Sequence, residues 1–276
     1  MRCSWSALCR EPAESSLLPR CDISIADSYA SQSQRSRVIS EAWFRSFGYC
    51  LSCDSSELRP TAANTRVSDF VCPECRQSYE LKTFGLKPKR SLVDGAYSAM
   101  ISRIKGGDAP TLMLLERSPV WDVRSLTAVH GSFLTPSVIV QRKPLSPSAR
   151  RAGWVGCNIR LDLIAADAQI PLVKDGRACE PEVVRTAFRQ FNRLGELSLN
   201  ARGWATLTLR MIRSLGGSTF SLDDLYRREQ RFSSVYPANH NVRAKIRQQL
   251  QVLRDMGYLE FCGRGTYRLL IETASL

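Results

Sequence analysis

The sequence has no long hydrophobic run and few acidic residues for its size. Its first 20 residues lack the continuous apolar core of a secretory signal peptide, and no apolar run approaches the length of a membrane-spanning helix. Ten cysteines are present, but six of them show no paired pattern. We therefore expect a reducing, cytoplasmic setting in the interior of a bacterial cell, with those six cysteines as free thiols.

The shortage of acidic residues leaves a strongly basic chain. It has 39 Lys and Arg against 26 Asp and Glu, a net charge of +13, and a pI near 9.6. Residues 180–276 hold 15 basic and 9 acidic residues, a surplus of +6, which leaves +7 for the rest. This balance points to a polyanionic partner, either nucleic acid or an acidic membrane surface. A length of 276 residues allows two domains, and the even spread of charge suits two domains that both contact DNA.

Four of the cysteines form two Cys-x-x-Cys pairs. Cys50 and Cys53 are separated by eighteen residues from Cys72 and Cys75, which is the spacing of a four-thiolate zinc site. Such a closed tetrahedral site is structural rather than catalytic. The alternative is four unrelated buried cysteines or two disulfides.

Two acids and a lysine accompany the second cysteine pair. Asp69 lies in a short apolar run, and Glu80 and Lys82 flank Leu81. On a strand, residues two apart point to the same side, so Glu80 and Lys82 would project together. Two carboxylates can hold Mg²⁺, and an ammonium can orient water or stabilise charge on a phosphate. The same trio also occurs by chance on solvated strands, but a zinc site in the intervening turn would fix the acids as a preorganised site requires.

The surrounding pattern predicts an α/β domain. Apolar spacing indicates a helix over 24–47, which carries Glu41, interpreted as a solvated surface acid. A second helix is predicted over 93–105, and buried strands over 110–116 and 123–129. A polar, basic loop that would suit a phosphate backbone is expected directly after Lys82.

Residues 135–159 contain three prolines, two glycines and several basic residues, a composition that predicts a loop. Such a loop could grip phosphates and place a flat aromatic surface against a base. The alternative is a basic surface loop whose tryptophan folds into the core. The candidate DNA-contacting residues here are Arg142, Lys143, Arg150, Arg151 and Trp154.

The C-terminal part predicts a winged helix. Apolar residues at helical spacing end at Gly216, a capping pattern at Ser221 opens a second helix, and a third helix covers about 239–256. Two strands around Gly263-Arg264-Gly265 complete the pattern. Residues 177–200 are expected to contain a polar helix that ends near Gly195 and to link into this domain.

The third helix is predicted to recognise DNA, because its polar face carries side chains that can read base edges in the major groove. A solvated face or a protein-contacting winged helix is the alternative. The candidate residues are Arg243, Lys245, Arg247, Gln248 and Gln251 on the helix, with Arg264 at the tip of the wing.

Several runs together resemble one enzyme family. They are the cysteine pairs, Glu80-Leu-Lys82, Asp94-Gly-Ala-Tyr97, and the longer runs 141–158 and 245–255. Over roughly residues 22–270 they closely resemble the DpnI-like, dam-replacing restriction endonucleases. The resemblance implies a nuclease domain of the PD-(D/E)xK type with a zinc site, followed by a winged helix. It also implies Mg²⁺-dependent, blunt-ended cleavage of double-stranded DNA at GATC sites carrying N6-methyladenine, with both domains reading the methylated site.

Carried onto this chain, the resemblance makes Asp69, Glu80 and Lys82 catalytic, with Asp69 and Glu80 holding Mg²⁺ and the four paired cysteines holding Zn²⁺. Trp154 would help to form the pocket for the methyl group. Ser68 stands where the superfamily motif has its proline. Leu81 fills the variable position of the Glu-x-Lys motif, where it can offer only its backbone carbonyl to the metal.

The expected organisation is a loose extension over 1–21, a nuclease domain over 22–195 and a winged helix over 196–276. We expect a monomer in solution, associated with the nucleoid. The competing hypothesis is a zinc-containing winged-helix regulator that binds methylated DNA without cutting it; the presence of Asp69, Glu80 and Lys82 together speaks for the enzyme.

Overall fold

The computed structural model of the protein describes residues 18–62, 68–85 and 90–271. Residues 1–17 of the predicted extension, and residues 86–89 of the basic loop predicted after Lys82, lie outside the described residues. Residues 18–21 pack against the domain that follows: Leu18 donates its main-chain N–H to Gly176 O (2.9 Å), and Trp43 Nε1 donates to Pro19 O (2.9 Å). These four residues are therefore not loose.

Strands dominate the first two thirds of the described chain, with two α-helices among them, and helices dominate the last third. The described α-helices are α1 Gln32–Phe47, α2 Tyr97–Gly106, α3 Pro181–Arg189, α4 Asn192–Gly195, α5 Leu199–Arg213, α6 Leu222–Tyr226, α7 Glu229–Val235 and α8 Val242–Asp255. The described strands are β1 Arg59–Pro60, β2 Phe70–Val71, β3 Ser78–Phe84, β4 Ser91–Ala96, β5 Thr111–Arg117, β6 Val123–Val129, β7 Ile139–Gln141, β8 Gly156–Arg160, β9 Gln169–Lys174, β10 Arg177–Ala178, β11 Thr219–Ser221, β12 Leu259–Gly263 and β13 Thr266–Leu269. No described helix is long and apolar enough to cross a membrane.

A seven-stranded mixed sheet forms the centre of the N-terminal α/β domain, in the order β1-β2-β3-β5-β6-β9-β10. Strands β3 and β5 are parallel neighbours, and the other neighbouring pairs are antiparallel. Strand β5 begins with five consecutive buried residues, as expected of a strand covered on both faces. The mixed α/β prediction and the two central strands are thereby confirmed.

A smaller sheet, in the order β4-β8-β7, corrects two sequence predictions. The helix predicted from residue 93 begins at Tyr97, because residues 91–96 form β4, with Leu92 and Asp94 buried and Val93 exposed in strand alternation. The loop predicted over 135–159 is shorter, since its two ends pair as the antiparallel strands β7 and β8. The loop itself covers 142–155.

Helix α1 packs its apolar side against the sheet next to β2. It begins at Gln32, later than predicted, because residues 24–26 form a separate 3-10 turn. The ring of Phe44 contacts that of Phe70 edge-on, with centroids 5.0 Å apart. The predicted helix is therefore confirmed in its second half, and its packing fixes the start of β2.

The C-terminal part is a helix-turn-helix domain with a small sheet in the order β11-β13-β12. Ser221 and Asp224 form the predicted capping box of α6. Helix α8 buries Val242, Ile246, Leu250 and Leu253, the predicted apolar stripe. The hairpin of β12 and β13 is also as predicted, whereas α7 was not predicted.

The two parts pack directly on each other. The predicted helical segment within residues 177–200 is present as α3 and α4 and ends at Gly195. It is not polar throughout, because α3 buries Val184, Ala187 and Phe188. The Tyr258 hydroxyl donates to Gln190 O (2.6 Å), and Arg213 pairs with the buried Asp167. Buried side chains consequently form one continuous core through both parts.

Candidate active site and metal centre

Strands β2 and β3 bring the predicted acids and lysine together. Asp69 precedes β2; its main-chain N–H donates to Tyr79 O (2.9 Å), and its Oδ2 accepts from the Leu81 N–H (2.8 Å). Through these two hydrogen bonds, Asp69 extends the pairing with β3 by one residue before the start of β2. On β3, Lys82 Nζ donates to Glu80 Oε1 (2.7 Å), as the two-residue spacing predicts.

A further acid, Asp94, completes the cluster. Lys82 Nζ donates to Asp94 Oδ1 (2.6 Å), and the Asp94 side chain is only 1% exposed. Cys157 Sγ lies 3.8 Å from Asp94 Oδ2. No role was predicted for Asp94 from the sequence, because residues from 93 onward were assigned to a helix; strand alternation through Leu92 and Asp94 was the signal that could have found it.

Burial and mutual charge set the protonation of this cluster. Burial, together with the neighbouring Asp94 charge and against the attraction of Lys82, raises the pKa of Glu80 to about 8. Burial also raises the pKa of Asp94, but Lys82 outweighs it and the net pKa is lowered. For Lys82, burial lowers the pKa, and the two carboxylates more than reverse that effect. The lysine is therefore a fixed ammonium.

The donor set fits a divalent cation. Glu80 Oε2 is buried and has no hydrogen-bond partner in the described chain; a buried carboxyl group is stabilised either by protonation, which the raised pKa of Glu80 favours, or by a bound cation. Burial raises the pKa of the nearby Asp69, opposed by the hydrogen bond from Leu81. Among described residues, no three acids converge within 4.8 Å. Mg²⁺ prefers a coordination shell in which water molecules complete the ligands supplied by one or two carboxylates.

Glu41 reaches the same region from helix α1. Its side chain is 24% exposed and pairs with Arg37 (2.8 Å), so it is not the solvated surface acid expected from the sequence. Burial raises its pKa, and the charge of Asp69 adds to the rise. Glu41 and Lys82 line one open cleft of about 350 Å³ between α1, β3 and β4, so the cleft reaches the lysine of the acid cluster.

The two cysteine pairs converge on one point beside the opposite end of β2 and β3. All four Sγ atoms lie within 4.8 Å of one another, with Cys50–Cys75 at 3.5 Å and Cys53–Cys72 at 3.6 Å. A disulfide would need a sulfur separation of about 2.05 Å, whereas Zn–S bonds of about 2.3 Å give a tetrahedral edge of about 3.8 Å. The cluster therefore has the geometry to hold zinc.

Three thiols of the cluster differ in the direction of their pKa shift. Burial raises the pKa of Cys50 and of Cys75. Burial raises the pKa of the Cys72 thiol, but hydrogen bonds from the main-chain N–H groups of Cys75 and Glu74 outweigh it and lower the pKa to about 7. A thiolate is the form that binds metal. The remaining described cysteines form no disulfide, as predicted; they are Cys21, Cys157, Cys179 and Cys262.

Side chains from distant parts of the chain hold the first cysteine pair. The Tyr79 hydroxyl accepts from the Leu51 N–H (2.9 Å) and lies 3.2 Å from Cys50 Sγ. From α3, Arg185 Nε donates to Cys50 O (3.0 Å), and Arg189 Nε donates to Ser52 O (3.1 Å). Tyr79 directly precedes Glu80, so one strand touches both clusters. No local sequence pattern marks these long-range contacts.

Comparison with known families agrees with this geometry. A model of the Dam-replacing family matches residues 18–196, and a model of the Dam-replacing HTH domain matches residues 200–269. The chain belongs to the Dam-replacing family. The DpnI-like resemblance seen in the sequence is thereby confirmed. Membership implies a methyl-dependent, restriction-type function, and its helix-turn-helix domain implies DNA binding.

In this family member, the basic loop over 142–155 is a surface feature. Arg142, Lys143, Arg150 and Arg151 are exposed. Trp154 is half-buried: a Cβ on Gly156 would lie 2.9 Å from its ring, and the Arg151 guanidinium lies 4.7 Å from its ring centroid. The alternative in which the tryptophan folds into the core is wrong.

Helix α8 of the Dam-replacing HTH domain presents most of its predicted polar face to solvent. The exposed members of that face are Arg243, Arg247, Gln248 and Gln251. Lys245 is half-buried: its Nζ lies 5.9 Å from the Trp204 ring centroid and donates to Gln248 Oε1 (2.8 Å). Arg264 is exposed at the hairpin turn. The cationic surface expected of a DNA-contacting helix is present.

Proposed function

We propose that this protein is a Mg²⁺-dependent type II restriction endonuclease that hydrolyses double-stranded DNA at GATC sites carrying N6-methyladenine, leaving blunt ends. The observation that carries the proposal is the convergence of Asp69, Glu80 and Lys82 at one buried point of the sheet in a member of the Dam-replacing family. A protein that only binds methylated DNA has no need of this set.

The arrangement supports a PD-(D/E)xK assignment for the nuclease domain. Asp69 at the start of one strand and Glu80 and Lys82 on its neighbour supply the acids and the lysine of that motif. Asp69 and Glu80 would hold Mg²⁺, which supplies Lewis-acid stabilisation of charge on the scissile phosphate. Lys82 orients the attacking water or stabilises that charge, and Asp94 acts on it as a positioning residue, because it keeps the ammonium in place and charged.

Zinc would have a purely structural role in this proposal. Four thiolates fill a tetrahedral shell and leave no open position for substrate. The cluster lies where β2 turns into β3, and Tyr79 connects it to the strand that carries Glu80. Zn²⁺ would thus hold the two strands in the register that brings the acids together.

Both domains would select for the methylated site. The nuclease domain is proposed to cover residues 22–195 and the winged helix residues 196–276. Burial of one N6-methyl group contributes only about 1 kcal/mol, which is too little for strong discrimination at a single pocket. Each palindromic site carries two methyl groups. Reading them at more than one step multiplies the discrimination ratios between methylated and unmethylated DNA. Trp154 with its basic loop and the exposed face of α8 are the surfaces proposed to read them.

A plasmid digest tests the function. One plasmid is prepared from a host that methylates GATC adenines and from a host that does not, and each is incubated with enzyme in Mg²⁺ or in EDTA. We expect GATC fragments with blunt ends only from methylated plasmid in Mg²⁺. Cutting of both plasmids would refute the methyl dependence, and binding without cutting would establish the regulator instead.

A further inference from the structure

Arg202 is a buried cation without a counter-ion in the described part of the chain. It lies on α5, the first helix of the helix-turn-helix domain, and is 4% exposed. Its Nη2 donates to the carbonyl of Ile104 (3.1 Å), but its Nε has no acceptor among the described residues. Burial alone lowers its pKa. A buried charge of this kind is costly unless a partner of opposite sign is supplied.

A cavity of about 280 Å³ adjoins this guanidinium. Arg202 enters it from the helix-turn-helix domain, whereas its other lining residues come from the α/β domain and from α4. Three glycines, at positions 107, 131 and 195, also line the cavity. The polar lining residues are Gln77, His130, Ser132, Asn192 and Arg202. Among the described residues, no acidic side chain lines the cavity.

The hydrogen bonds around His130 involve the amide oxygen of Asn192, an exposed residue that lines the cavity. His130 Nδ1 accepts from the Ser132 N–H (3.1 Å), so the neutral ring carries its proton on Nε2, which lies 3.1 Å from Asn192 Oδ1. Burial lowers the pKa of His130 to about 4, and Arg202 adds to that shift, so the ring is neutral near pH 7. With its oxygen occupied by His130, Asn192 presents its NH₂ group as a free donor among the described residues.

We propose that this cavity binds one small oxyanion of the phosphate type, held by Arg202 and Asn192. A guanidinium forms paired, charge-assisted hydrogen bonds with phosphate oxygens, and the amide adds a neutral donor. The volume is near the lower end for ligand pockets, about 300 Å³, which suits inorganic phosphate. Because the lining comes from both parts of the chain, the anion would stabilise their packing. The site is separate from the acid cluster.

Titration of the full-length protein with sodium phosphate tests the site. The protein is purified without phosphate or sulfate, without added divalent cations and without chelators, which would remove a structural zinc, and sodium chloride maintains constant ionic strength. We expect binding of one phosphate per chain by calorimetry and a saturable rise of several degrees in melting temperature, as a ligand selective for the folded state produces. Sulfate should act similarly and acetate weakly. Absence of saturable phosphate binding, or stronger binding of acetate, would overturn the proposal.

Two substitutions identify the site. Arg202→Met removes the charge while keeping an unbranched apolar stem, and Asn192→Asp keeps the oxygen that faces His130 while placing a carboxylate next to the cavity. Each should weaken phosphate binding at least tenfold. Arg20→Met is the control, since Arg20 is exposed and already paired with Asp122; it should bind phosphate as the wild type does. Should Arg202→Met fail to fold, Asn192→Asp decides, and unchanged phosphate affinity in that variant would refute the site.

Discussion

The four-cysteine cluster and the acid cluster lie at opposite ends of the same strand pair, β2 and β3. They differ in how much of a metal coordination shell their side chains supply. The cysteines offer four sulfurs at tetrahedral separations. The acid cluster has a lysine shared between two carboxylates and a buried oxygen of Glu80 without a partner among the described residues. A filled shell stabilises the fold, whereas an open one can accept water and substrate. Under the proposed function, one hairpin therefore combines a structural zinc centre with a catalytic one.

The largest effect is expected at the acid cluster. Lys82→Ala should reduce cleavage of methylated plasmid by at least about 10³-fold, because it removes the only cation that contacts Glu80 and Asp94 among the described residues. Binding of methylated duplex, measured by fluorescence anisotropy, should survive. Lys105→Ala, at an exposed position of α2, is the control. Retained cleavage in Lys82→Ala would remove this lysine from the mechanism.

At the four-cysteine cluster, the expected effect is on stability. Cys72→Ser should lose zinc, measured by elemental analysis, and lower the melting temperature by about 10 °C or more, since a structural zinc contributes several kcal/mol to folding. Cys262→Ser, at an exposed free thiol, should change neither quantity. A zinc-free Cys72→Ser protein with wild-type melting behaviour would contradict the structural role.

A smaller effect separates positioning from direct chemistry. Asp94→Asn keeps the shape of the side chain but removes the charge that holds Lys82, so kcat should fall about 10- to 100-fold with KM little changed. The pH profile should shift as well, because the Asp94 charge contributes to the raised pKa of Glu80. An unchanged kcat and pH profile would show that Asp94 only fills space.

The open site should also make metal-free stability depend on pH. Glu80 has a folded-state pKa of about 8 against an ordinary 4.5, so the folded protein binds this proton more tightly than the unfolded chain does. Its contribution is complete below about pH 4.5 and is lost as pH rises through about 8. In buffer without added Mg²⁺, the free energy of unfolding of wild type relative to Glu80→Gln should therefore fall between pH 5 and 9. A flat difference would contradict the raised pKa.

The smallest expected effect lies outside both clusters. Trp154→Ala, placed in the non-cleaving Lys82→Ala background, should reduce the ratio of methylated to unmethylated DNA affinity about fivefold for each methyl group that Trp154 buries, because one methyl burial contributes about 1 kcal/mol. Leu145→Ala, in the same loop at an exposed position, should leave the ratio unchanged. An unaltered ratio in Trp154→Ala would place methyl reading elsewhere.

Features encoded by short patterns could be predicted from the sequence. The spacing of Cys50, Cys53, Cys72 and Cys75 predicted their convergence, and the two-residue interval in Glu80-Leu-Lys82 predicted the contact between those side chains. The helical spacing of apolar residues also predicted α8, and the sequence pattern after it predicted the hairpin. In each case the information lies within a few residues, or within one known motif spacing.

Contacts between distant segments could not be predicted in this way. Asp94 joins the acids because β4 approaches β3, and Arg185 supports the first cysteine pair across 135 residues of sequence. Residues 93–96 of β4 were assigned to a helix because their apolar residues run directly into those of α2. Arg202 is similar: nothing in its neighbourhood marks it as buried, and only packing of the two parts leaves it without an acid among the described residues.

Single-turnover cleavage of a short duplex with one GATC site tests the central claim most directly. The duplex is methylated on both adenines or on neither, and is incubated with excess enzyme in Mg²⁺ or Ca²⁺, with Glu80→Gln in parallel. The account predicts double-strand cleavage only for wild type with methylated duplex in Mg²⁺, while binding persists in Ca²⁺. Equal cleavage by Glu80→Gln, or intact binding with no cleavage by wild type in Mg²⁺, would contradict it.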